Sequence, residues 1–203
     1  MDNLSINNTT NNSAVLQGAE DINVIIVGLY TYFNVPVRIL HPLADRIDGV
    51  KAHTIFYKNY DSNLFSLPTE KEEKLFLDTI IKINPKIVAI SLLSPYVLIA
   101  KRITELVKKH TSAVVVWGGV GPTITPDEHI KHTDVICIGE GERSFEELII
   151  AVRDKKDYSN IKNLWVNDGS KITKNPQGLL IQELDTLPFA SYGDENMYFI
   201  EQN

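Results

Sequence analysis

The sequence predicts a doubly wound α/β domain built on a five-stranded parallel sheet, and three observations carry that prediction. Five short runs rich in β-branched and apolar residues lie at Asn23–Tyr30, Ala52–Tyr57, Ile87–Leu92, Ala113–Trp117 and Asp134–Ile138. The runs are near-continuously apolar, the mark of strands covered on both faces. Stretches of helical period separate them, and such alternation builds parallel βαβ units. The right-handed crossover rule leaves few topologies, and the expected one is the flavodoxin-like, Rossmann-like strand order 2-1-3-4-5.

Each element has its own local signals. Residues 1–21 are rich in Asn, Ser and Thr. They hold too little apolar surface to offset ordering entropy, so a disordered leader is expected. The first helix, Val35–Ile47, follows Asn34 as a cap, carries Pro36 in its first turn and meets Gly49 as a stop signal. A second helix spans Thr69–Asn84, opening on a capping box of Thr69 and Glu72 and stopping before Pro85. The third, Tyr96–His110, ends in Lys108, Lys109 and His110, which suits a helix C-terminus electrostatically. Pro126–His132 reads as a short helix and Arg143–Arg153 as a longer one.

The α/β domain is thus assigned to residues 22–158. After about Lys155 the alternation stops. Residues 159–182 read as a β-hairpin appendage, with Asn163–Val166 and Lys171–Lys174 joined through Asp168 and Gly169, a pair suited to a tight turn. Residues 183–203 read as an extended linker containing Pro188, with no closing element over Glu195–Asn203.

Composition narrows the function. The chain has 203 residues, a net charge of −6 and one cysteine, Cys137. A lone cysteine cannot form an internal disulfide, a Cys-rich zinc site or a protein-ligated iron–sulfur cluster. The acidic balance argues against nucleic acid as a partner, because such binding rests on phosphate neutralisation. No segment reaches the ~20 apolar residues of a membrane span, and no secretion signal opens the chain. A cytoplasmic protein without a membrane partner is expected.

Ligands of doubly wound sheets bind at the carboxyl ends of the strands, at the topological switch point. The candidate loops are therefore Tyr30–Asn34, Ser91–Pro95, Gly118–Thr123 and Gly139–Arg143. Gly118 and Gly119 allow a backbone to approach a ligand closely or to turn sharply. No Walker A motif accompanies them, and no dinucleotide fingerprint follows the first strand. Gly139, Glu140, Gly141 and Glu142 alternate glycine with carboxylate at a helix start, where negative charge is favoured. Nothing nearby completes an acid/base pair or a metal site, so no catalytic or metal-ligating residue is assigned.

Residues 114–152, VVVWGGVGPTITPDEHIKHTDVICIGEGERSFEELIIAV, closely resemble the later half of the cobalamin-binding domain at the N-terminus of B12-dependent radical SAM enzymes. Upstream, Asn34–Leu40 is similar to the family's Pro-Pro-Leu-Gly-Leu segment. Downstream, Glu183–Tyr192 is similar to the linker that leads into the radical SAM barrel. The resemblance implies a cobalamin site at Tyr30, Tyr32, Phe33, Ser91, Leu93, Gly118, Gly119, Gly139, Glu140 and Gly141. Ser91 to Leu93 stands for the family's SxL and Gly118-Gly119 for its GG, with 24 residues between them, slightly short of the usual gap.

The family's Asp-x-His-x-x-Gly motif is missing. Gly49 stands at the usual distance before Ser91, but Ala44 and Arg46 would then hold the Asp and His positions. The loop after the first strand, Tyr30–Asn34, has no histidine either. The resemblance therefore implies cobalamin held base-off, its dimethylbenzimidazole buried in protein and no histidine in its place. S-adenosylmethionine and a [4Fe–4S] cluster would belong to a separate radical SAM domain, in cis or in trans, since the CxxxCxxC motif is absent. Two functions follow: the cobalamin-binding module of a methyltransferase-like system, or a flavodoxin-like docking domain that no longer binds the cofactor. Their discriminator is whether Tyr30, Tyr32, Phe33 or Trp117 fills the crevice over the strand ends. A flavin or nucleotide binder of the same fold is a weaker third reading, because no phosphate-cradling loop follows the first strand.

Overall fold

The computed structural model describes residues 21–59, 66–193 and 195–201; the leader expected over 1–21 lies, but for Asp21, outside them. Eight strands form one sheet: β1 (Ile22–Leu29), β2 (Val50–Tyr57), β3 (Ile87–Ser91), β4 (Val114–Gly118), β5 (Val135–Cys137), β6 (Leu164–Asn167), β7 (Ile172–Lys174) and β8 (Met197–Ile200). Their order is β7-β6-β5-β4-β3-β1-β2-β8. The five central strands are parallel and follow the expected 2-1-3-4-5 order.

The edges depart from expectation. The hairpin β6–β7 does not hang free but pairs antiparallel with β5. At the other edge β8 pairs parallel with β2, over a stretch where the sequence suggested no closing element. Four residues, Met-Tyr-Phe-Ile, suffice because they complete a sheet edge already built.

Helices cover both faces. They are α1 (Val35–Asp45), α2 (Glu70–Ile83), α3 (Val97–His110), α4 (Val120–Ile124), α5 (Pro126–His129) and α6 (Glu142–Arg153). Side chains alternate across a strand, so β1 feeds two cores. Ile25, Val27 and Leu29 pack with Phe76 of α2 and Ile103 of α3. Val24 and Ile26 pack with Val37 and Leu43 of α1 and Leu148 of α6.

Local chemistry explains the helix ends. Asn34 caps α1 by accepting from Val37 N at 3.3 Å. Thr69 and Glu72 make the capping box of α2, and Asn84, at φ +51°, ends it. Gly49 takes φ +71° before β2. The Gly-rich segment after β4 is not only a turn: α4 occupies Val120–Ile124, which Gly121 and Pro122 hid from the sequence reading. Among the described residues no helix is long and apolar enough to cross a membrane.

Candidate functional site

A cavity of about 620 Å³ opens at the carboxyl ends of the parallel strands, on the face that carries α1 and α6. Its floor is apolar, from Ile26, Ala89 and Val116 of the sheet, Leu40 of α1 and Leu148 of α6. Its rim comes from the four loops named above. β1 and β3 are neighbours whose connections leave in opposite directions, so their loops diverge and leave this gap.

Eight of the ten sequence-derived residues line it: Phe33, Ser91, Leu93, Gly118, Gly119, Gly139, Glu140 and Gly141. Phe33 stands at the mouth, 79% exposed, with Leu93 and Val120 also exposed on the rim. Tyr30 and Tyr32 lie elsewhere. Tyr30, at φ +57°, turns into the opposite core, stacks on Tyr96 and donates to Ser66 O at 2.7 Å. Burial, with Glu72 nearby, pushes its phenol up to about 12. Tyr32 donates to Glu201 Oε2 at 2.6 Å and packs edge-on against Phe199 and Phe56. Trp117 is also directed away, donating from Nε1 to Thr104 Oγ1 at 2.9 Å within the α3 face. None of the three fills the cavity.

The glycines differ in what they do. A Cβ on Gly118 would meet only Cys137 Cβ at 3.8 Å, an ordinary contact, so its missing side chain leaves room toward the cavity. Gly119 sits at φ +98° with Leu92 O 3.0 Å from the place of a Cβ. The fold itself requires that glycine. Gly139, at φ +75°, donates to Thr123 Oγ1 at 3.0 Å, and Thr123 in turn donates to Gly119 O at 2.8 Å. This tie holds the loops after β4 and β5 in register.

The two carboxylates of the segment also part company. Glu140 Oε2 accepts from Ile181 N at 2.7 Å, and its carbonyl from Asn163 Nδ2 at 2.8 Å, so it anchors the chain that crosses behind the loop. Glu142, first residue of α6, lines the cavity, and its Oε2 is buried without a hydrogen-bond partner. Cys137 lines the wall, its thiol pushed up to about 12 by burial and by the charge of Glu142. Sequence reasoning put Glu142 in a candidate loop without giving it a place in the site, and missed Cys137 and the apolar floor as lining. The floor's only signal was strand apolarity, which any core strand shares.

All five histidines are described, and none lines the cavity. His41 bonds Thr54 Oγ1 at 2.9 Å, His53 bonds Asn23 Oδ1 at 3.2 Å, and His110 bonds Leu106 O at 2.9 Å. His129 bonds Thr125 O at 2.7 Å, and His132 stacks on Trp117.

Residues 58–149 match the B12 binding domain family. The match begins after β1 and its loop, where the family's histidine motif would stand. An uncharacterized methyltransferase of Pyrococcus horikoshii is 30% identical over 115 residues, 55% of this chain and 25% of that protein. Among solved structures, the cobalamin-dependent S-adenosylmethionine radical enzyme OxsB, with aqua-cobalamin and S-adenosylmethionine bound, superposes with a TM-score of 0.62. It is 15% identical, over 80% of this chain and 23% of that one. The radical S-adenosylmethionine methyltransferase TsrM from Kitasatospora setae, with cobalamin and a [4Fe–4S] cluster, gives a TM-score of 0.60 at 16% identity, over 83% of this chain and 31% of that one. The chain therefore spans about a quarter of the length of such proteins. The family match and the shared fold bear out the resemblance read from the sequence.

Proposed function

We infer that this chain, which carries a B12 binding domain, holds cobalamin base-off in the cavity over its strand ends, with no histidine as axial ligand. The observation that carries the reading is that the cavity stands open. Of the four side chains able to fill it, Tyr30, Tyr32 and Trp117 pack elsewhere, and Phe33 stands exposed at the mouth. Had those side chains closed the space, a corrin could not enter and the second reading, a docking domain without cofactor, would be favoured.

The residues present suit the group. The apolar floor of Ile26, Ala89, Val116 and Leu148 matches an aromatic base removed from water, and pockets of this size commonly take such ligands. Gly118 leaves the wall low enough for the nucleotide tail to pass. Ser91 offers a hydroxyl at the end of β3, with Asn34 Nδ2 3.5 Å away. Phe33, Leu93 and Val120 give an apolar collar against which a corrin face can rest. When bound, cobalamin supplies methyl carriage at its cobalt. No histidine lines the cavity, so no imidazole of this chain would hold the cobalt. The S-adenosylmethionine and iron–sulfur chemistry of a radical SAM partner domain, in cis or in trans, would complete a cytoplasmic methyltransferase-like system.

The test is retention of the pigment. Purified protein mixed with hydroxocobalamin and desalted should stay coloured, and its reduced cobalt(II) form should show no axial-nitrogen splitting by electron paramagnetic resonance. Gly118→Val should fold normally yet lose colour, because a larger side chain there would take up space at the cavity wall. Colourless wild-type protein would overturn the reading and favour the docking domain.

A further inference from the structure

A second hollow, of about 300 Å³, lies on the α3 face of the sheet, opposite the face that carries the cavity described above. One side is α3, through Val97 and Lys101; the other is α5 and the 3-10 turn Ile130–His132, through Glu128, His129, Lys131 and His132. Val97 and Lys101 stand four residues apart and so share a face of α3. His132 stacks on Trp117 with ring centroids 6.3 Å apart, and His129 meets the same indole edge-on at 5.9 Å. The buried indole thus seats both imidazoles, and with them the turn that carries Lys131.

The lining is cationic, although the chain's net charge is −6. Among the described residues, Lys101, Lys131, His132 and Glu128 enter no ion pair. Glu128, the one carboxylate of the lining, therefore neutralises neither lysine by contact. His129 is buried with Nδ1 on Thr125 O at 2.7 Å, and serves as wall. The His132 imidazole is held below its ordinary range by lost water, then by Lys101, His129 and Lys131. Like charges gathered in a concave setting repel one another and strengthen the field they share. An entering anion returns that cost.

Charge and size select the anion. Two ammonium groups beside an imidazole able to take a proton match a doubly charged oxyanion better than a single carboxylate, and lysine serves phosphate as a point charge. The hollow has room for about ten waters at roughly 30 Å³ each, more than the four oxygens of a phosphate occupy. Val97 offers an apolar wall to whatever the phosphate carries. We propose that this hollow binds a dianionic phosphate, free or as a small monoester, between Lys101 and Lys131, with His132 donating to it as imidazolium. The site shares no residue with the cavity over the strand ends and stands independently of the cobalamin reading.

The test follows the His132 ring protons by NMR, assigned with His132→Gln, during titration with inorganic phosphate, glycerol phosphate, acetate or sodium chloride at matched ionic strength. At about pH 7, where a phosphomonoester is largely dianionic, at least one phosphate should shift His132 saturably and move its titration to higher pH, because a nearby anion favours the charged ring. Lys101→Gln and Lys131→Gln should each weaken binding about fivefold, the upper range for an exposed ion pair. Glu128→Gln should tighten it, since a repelling charge is removed. These three side chains are half-buried or exposed, so the fold tolerates the changes. Tighter binding of glycerol phosphate assigns the site to esters, and equal or tighter binding of inorganic phosphate assigns it to the free anion; either upholds the proposal. No saturable shift with either phosphate overturns it. So does an equal response to acetate or sodium chloride, wild-type affinity in both lysine variants, or weaker binding by Glu128→Gln.

Discussion

At the scale of single residues, neighbouring glycines and distant histidines show how backbone and burial set roles that composition hides. Gly119 lies in a region of backbone space that side chains rarely enter, against the main chain of Leu92. Gly119→Ala should therefore cost about 2 kcal/mol or more, whereas Gly118→Ala should stay within ~0.5 kcal/mol; urea titration of the ligand-free variants separates the two. The pair was legible as a close-approach motif. Which glycine serves the fold and which the cavity was not, because φ depends on the loop that Leu92 and Gly121 close. His53 offers a second residue-scale test. Burial, then Lys51 and His41, lower its imidazole to about 4. The unfolded chain binds that proton near 6.5, so the folded state keeps its full advantage above pH 6.5 and loses it as pH falls toward 4. His53→Asn should flatten the fall in stability between pH 7 and pH 5 by on the order of 1 kcal/mol, read as the difference between variant and wild type. An identical slope in both proteins would assign the loss to other groups.

At the scale of elements, α2 was readable to the residue because its start is encoded locally. Thr69 and Glu72 exchange backbone hydrogen bonds, and Glu72 further pairs with Lys58 Nζ at 3.1 Å, both side chains nearly or fully buried. Thr69→Ala should lower stability by about 1 kcal/mol. Glu72→Ala should cost about 3 kcal/mol or more, because it also strands the ammonium of Lys58; denaturant unfolding with unchanged m-value would measure both. An equal cost for the two changes would mean that the ion pair contributes nothing beyond the cap. Elements without local encoding were the ones missed. α4 contains Gly121 and Pro122, residues that ordinarily interrupt helices, and is held by Thr123 and Thr125 bonding back to Gly119 and Gly121. β8 has no turn signal before it, because its partner β2 lies some 140 residues away in sequence and is reached by no hairpin.

At the scale of the whole molecule, β8 ties the chain's last described segment to the mouth of the cavity through one buried side chain. Arg38 of α1 donates to Tyr32 O from Nε at 2.8 Å and to Ser191 O from Nη1 at 3.0 Å. Its guanidinium lies over Phe56 and Tyr192, and its own carbonyl accepts from Ser191 N at 2.9 Å. Tyr32 reaches past it to Glu201. The loop that carries Phe33 to the rim is thus fastened to the segment Ser191–Glu201 rather than to the sheet alone. Loosening that segment should therefore loosen the rim. Arg38→Ala should cost about 2–3 kcal/mol, through lost hydrogen bonds and stacking, and lysine should not substitute, having no planar fork to bridge Tyr32 and Ser191. Hydrogen exchange provides the decisive readout. In Arg38→Ala, amides of 31–34 and of 197–200 should exchange faster together, while those of β3 keep their protection. Faster exchange at the C-terminal strand alone would show that the rim holds without it. If the two move together, the loop that carries Phe33 and the strand β8 open as one cooperative unit.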